Sequence, residues 1–154
     1  MKMGIIACVD TCIDNGEYLS LVIQNNVYLF LLQKWIVENH PGHVTLNDLH
    51  ITLGVSPNRN HTNPVPSFHG MIELCREIKV VTREDKSSSY IEVTDACKND
   101  LLKYITDIEN TCFDGERCVF DPARVFHISL TNLTGEPRGS IARVWEHTPT
   151  VYTL

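Results

Sequence analysis

Apolar and polar positions alternate most clearly in two short stretches, residues 49–55 and 125–130, and each reads as a strand with one buried face. In the first, His50 and Thr52 fall on one side and Ile51 and Leu53 on the other. In the second, His127 and Ser129 oppose Ile128 and Leu130. Residues 4–9 and 18–23 read as two further strands, joined by a long loop that holds the turn signal Asp14-Asn15-Gly16. Asn25 or Asn26 can cap a helix running to about Glu38. Val27, Leu31 and Trp35 recur in it at four-residue spacing beside Tyr28, Leu32 and Ile36, which predicts an apolar face packed on a sheet. Residues 71–82 and 90–93 read as strands around the polar turn at 84–87. Asp95 can cap a second helix to about Cys112, with Leu101, Ile105, Ile108 and Cys112 as its buried stripe. Residues 141–147 read as a last strand. The order is α+β with two similar halves, roughly 1–60 and 61–154, in a single domain; the polar, proline-containing loop at 58–66 is the expected boundary or flap.

The longest apolar run, residues 27–37, is broken by Gln33 and Lys34 and is too short and polar to span a bilayer. With no signal-peptide pattern at the N-terminus, a soluble, cytoplasmic protein is expected. The net charge of −6 disfavours a grip on long nucleic acid, which needs many Lys and Arg contacts, and leaves a small nucleotide as the easier ligand. Six cysteines without a Cys-x-x-Cys pair read as reduced, mostly buried thiols. No His-Glu-x-x-His or comparable spacing points to a metal, and no cofactor is expected.

The two alternating strands carry the chemistry. Each would bury an aliphatic face and present an imidazole beside a hydroxyl. Imidazole titrates near neutral pH, so one histidine can take a proton from an attacking oxygen while the other protonates a leaving oxygen. The hydroxyls can donate to non-bridging phosphate oxygens. His43-Val44-Thr45-Leu46 fits the same pattern, but it follows Pro41-Gly42 as a short segment, and His50 lies in the longer β-rich run. Arg138 and Arg143 can contact phosphate. Trp145, Tyr18 and Tyr152 can stack on a base.

The pair His50-Ile51-Thr52-Leu53 and His127-Ile128-Ser129-Leu130 resembles the 2H phosphoesterase (LigT-like) superfamily, whose phage-type members include enzymes that degrade cyclic-nucleotide immune signals. The resemblance covers both halves, though its specific part is eight residues, and Ser129 replaces the commoner Thr. It implies a bilobal fold, with two pseudo-symmetric lobes of antiparallel strands and flanking helices around a central cleft. It implies a metal-independent phosphodiesterase, with His50 and His127 catalytic and Thr52 and Ser129 on the phosphate. The expected substrate is a small cyclic or 2′,5′- or 2′,3′-linked nucleotide, met in the host cytoplasm if the source is viral. The alternative is a nucleotide sponge that uses the same cleft without hydrolysis. A third reading is an interaction protein in which the two motifs coincide by chance.

Overall fold

In the computed structural model, residues 5–57, 65–118 and 123–154 are described. Most of the 58–66 loop expected to bound the lobes lies outside them. The chain runs β1 (Ile5–Ala7), β2 (Val9–Asp14), β3 (Tyr18–Ile23), α1 (Val27–Asn39), β4 (Val44–Thr45), β5 (His50–Val55), β6 (Ile72–Thr82), β7 (Ser87–Val93), α2 (Asp95–Thr111), β8 (His127–Asn132) and β9 (Thr150–Thr153). The fold is α+β, and among the described residues every strand pairing is antiparallel.

The strands form two sheets. One is three-stranded, in the order β2-β3-β5; the other has the order β1-β6-β7-β8-β4, with β9 also pairing β6. The N-terminal half therefore does not close on itself, since β1 and β4 join the larger sheet. Strands β5 and β8 belong to different sheets yet pack against each other. Gln33 ties this junction: its side-chain amide donates to the carbonyls of Leu46 (2.9 Å) and Leu130 (3.1 Å).

Several sequence expectations change. The first hairpin is tight rather than long-looped, because β2 runs through to Asp14 and its last four residues pair in register with β3, from Thr11 opposite Val22 to Asp14 opposite Leu19. Gly16 turns it at φ 82°, and the side chains of Asp14 and Asn15 accept the N–H groups of Gly16, Glu17 and Tyr18. In β2 Asp10, Thr11 and Ile13 are exposed while Asp14 is buried, so the apolar residues do not mark one face and no alternation shows in the sequence. Residues 141–147 form no strand. Ile141 and Val144, three apart, both bury against Val81 and Tyr90, and Val144–Glu146 is a 3-10 turn. The last strand is β9, further on.

The third change concerns α1. Asn26 caps it as expected, accepting from the Leu29 N–H at 2.8 Å. The buried face, however, is Leu29, Leu32, Gln33 and Ile36, while Val27, Leu31 and Trp35 are 75%, 53% and 38% exposed. A helix apolar on all sides has no phase of its own, and the partner surface chooses which side is covered. In α2, by contrast, Leu101, Ile105 and Ile108 are buried as the spacing predicts; Cys112 is only partly buried, and Thr94 rather than Asp95 caps.

Candidate active site

Strands β5 and β8 show the same burial alternation. His50 and Thr52 are half-buried while Ile51 and Leu53 are fully covered; His127 and Ser129 are half-buried while Ile128 and Leu130 are fully covered. The aliphatic faces enter one core. The polar faces carry both imidazole–hydroxyl pairs.

The two histidines are held alike. The Nδ1–H of His50 donates to the Asp48 carbonyl at 3.0 Å, and the Nδ1–H of His127 donates to the Val125 carbonyl at 2.8 Å. Each ring thus grips the backbone two residues before it. A carbonyl only accepts, so Nδ1 must carry the hydrogen, and in the neutral ring the lone pair sits on Nε2. Neither Nε2 meets a protein partner among the described residues, nor do the hydroxyls of Thr52 and Ser129.

The rings also share an electrostatic environment. Burial lowers the pKa of His127; the Val125 carbonyl and Glu92 pull it back up, while the charges of Arg124 and His50 push it further down. His127 therefore resists protonation and suits the role of base.

Around His127 stands a shell that the motif did not announce. Tyr90 packs edge-on at 5.3 Å, Trp145 lies at 6.3 Å, and the Arg124 guanidinium sits over the Trp145 ring at 5.1 Å. Arg124 also donates from Nη1 to the Thr52 carbonyl at 3.2 Å, joining the approach to β8 with β5. Glu92, opposite His127 on β7, is paired with Lys79, whose Nζ lies 2.5 and 3.1 Å from its carboxylate oxygens. Arg124 was missed in the sequence. Its only local mark is its place three residues before His127, and nothing there separates it from other surface arginines.

The other sequence candidates are placed unevenly. Trp145 is beside His127, and its indole N–H is buried without an acceptor among the described residues, so ring contacts hold it. Tyr18 is 40% exposed and shares its outward-facing side of β3 with Ser20 and Val22, which pair with Thr52 and His50. Arg138 is not with them. It is exposed in the 3-10 turn Pro137–Gly139, beyond Asn132 at the far end of β8 from His127. Five residue steps along the strand separate those ends, roughly 17 Å. The polar knot around Asn132, whose amide bonds the Glu136 carbonyl and Ser140, holds that turn there. The arginine that stands beside His127 is Arg124.

His43 has a different fate. It is buried at 7% exposure, and both its nitrogens are engaged, by Thr131 Oγ1 at 2.7 Å and Ser87 Oγ at 2.8 Å. No ring nitrogen remains for a substrate.

Arg124→Gln removes a charge that disfavours the protonated form of His127. It is expected to raise the pKa of that imidazole and move the acid limb of any kcat/KM profile to higher pH. An unshifted limb would show that Arg124 does not act on His127.

Among the described residues no group of three His, Cys, Asp or Glu side chains is arranged to hold a metal ion, and no helix is long and apolar enough to cross a membrane. No protein-family model, curated protein or solved structure matches this chain.

Proposed function

We propose that the protein is a phosphodiesterase that works by general acid–base catalysis without a metal, on a small cyclic or short 2′,5′- or 2′,3′-linked nucleotide. The observation that carries this reading is the matched anchoring of His50 and His127. Two imidazoles on strands that pack together are fixed through Nδ1, with each Nε2 without a partner among the described residues.

His127, held neutral, takes the proton of the attacking oxygen, either water or a ribose hydroxyl. As the new P–O bond forms, the bond to the leaving oxygen breaks, and protonated His50 gives that oxygen its proton. Thr52 and Ser129 donate to the non-bridging oxygens, and Arg124 adds a fixed positive charge beside them. Trp145 offers a base a stacking surface and Tyr18 reaches the far end of the ligand. The bilobal LigT-like arrangement, with the β5–β8 junction as its cleft, belongs to this reading. So does removal of cyclic-nucleotide signals in a host cytoplasm.

Purified protein in EDTA, offered 2′,3′-cyclic, 2′,5′-linked and 3′,5′-cyclic di- and trinucleotides, is expected to turn over at least one of them. No turnover, or turnover abolished by EDTA, refutes the mechanism. Ligand bound and recovered unmodified after denaturation points instead to a sponge.

A further inference from the structure

Helix α1 lies outside the candidate site and breaks a rule of surface helices. Its outer side should be polar. Instead Val27 is 75% exposed, Phe30 55%, Leu31 53% and Tyr28 43%. The helix carries only two charged side chains, Lys34 and Glu38. Beside it runs a groove of about 650 Å³, lined by Tyr28, Leu31, Leu32 and Trp35 of the helix and by Val151–Leu154 of the C-terminal strand and tail. Trp35 and Tyr152 meet edge-to-face at 5.2 Å and form part of its wall.

We propose that this face is the interface of a symmetric dimer, its occupant being a second copy of the same helix and strand. The patch holds a ridge and a hollow side by side. Val27 and Phe30 project without lining the groove, and Tyr28, Leu31, Trp35 and Val151 line it. A twofold axis lets each ridge enter the other copy's groove, which is what a closed, isologous contact requires. The exposed surface of Val27, Tyr28, Phe30, Leu31, Trp35 and Val151 comes to roughly 600 Å², the upper end for the largest apolar patch of an ordinary monomer. Two such faces bury roughly 1,200 Å², where specific interfaces begin.

Charge favours the same occupant. Lys34 and Glu38 have opposite signs, so an antiparallel copy meets no net charge, although the whole chain carries −6. A lipid surface would call for a basic border, and this helix has a single lysine.

The test is molar mass by light scattering behind a sizing column, from about 1 to 200 µM, the range in which an interface this small exchanges. The expected mass rises from 17.5 kDa toward twice that value. Phe30→Glu is expected to hold the mass at the monomer value across the range with an unchanged circular dichroism spectrum. Should it fail to fold, Val27→Glu, at the more exposed position, serves instead. A monomer throughout overturns the proposal, as does a dimer untouched by either substitution. Monomeric protein that pellets with phosphatidylcholine–phosphatidylglycerol vesicles overturns it in favour of a membrane.

Discussion

His50→Ala and His127→Ala should each lower kcat by about 10³-fold or more, since a positioned acid or base is worth roughly 10² to 10⁴. The reason lies in the anchoring. Each imidazole bonds a carbonyl two residues before it, at 3.0 and 2.8 Å, which fixes the tautomer and, in the proposed mechanism, leaves Nε2 for the substrate. Both rings are half-buried on the polar faces of β5 and β8, so their removal opens no core cavity. Thermal melts of the two variants should therefore stay within a few degrees of the parent. The double variant should be little slower than either single one, because an acid and a base acting in one step are not additive. Single-turnover rates with the best substrate of the panel decide this. If either variant retains more than about a tenth of the rate, that histidine has no part in proton transfer.

His43→Ala should do the reverse, losing stability and keeping chemistry. His43 is the centre of a chain of polar side chains that is buried except at its exposed end, Thr82. Ser89 meets Thr131 at 2.5 Å, Thr131 meets one ring nitrogen at 2.7 Å, the other nitrogen meets Ser87 at 2.8 Å, and Ser87 meets Thr82 at 2.9 Å. Truncation removes two hydrogen bonds and leaves a hole, a cost of about 3 kcal/mol. For a chain of this length that is a fall in Tm of about 10 °C. Turnover per folded molecule should change less than about threefold, well short of the loss when a positioned acid or base is removed. If instead His43→Ala abolishes turnover in a folded protein while His50→Ala does not, the assignment of the first motif is wrong.

The same residue predicts a pH dependence. Burial, and then the charge of His40, lowers the pKa of His43; burial chiefly lowers that of His127. Both are therefore held neutral in the folded protein below the pH at which the unfolded chain protonates them. The unfolded state binds more protons in that window, so stability rises with pH up to the usual imidazole value of about 6.5 and levels off above it. On acidification below that point it is lost. In His43→Ala the acid slope should lose one proton's contribution, read from urea melts across the window.

Much of the site was legible in the residues alone. In β5 and β8 the alternation is a property of the strand itself, so placing His50 beside Thr52 and His127 beside Ser129, with Ile and Leu turned inward, needed no knowledge of the partners. The α2 stripe was readable for the same reason, because its apolar residues mark one side only. What depended on long-range packing was not. His43-Val44-Thr45 and His50-Ile51-Thr52 share one pattern, and the sequence favours the second only through the longer β-rich run around it. Thr131 and Ser87, distant in sequence, take both nitrogens of the first, and only a backbone carbonyl takes one of the second. Arg124 gained its place through Trp145 and Thr52, and Arg138 lost its own because the Asn132 knot holds it at the other end of β8. Helix α1 is apolar all round, so its sequence carried no direction and the sheet chose the face to cover. Which side chains share a strand face could be read from the residues alone, since that follows from backbone geometry over two residues. Which faces meet could not, since that depends on contacts between residues far apart in the chain.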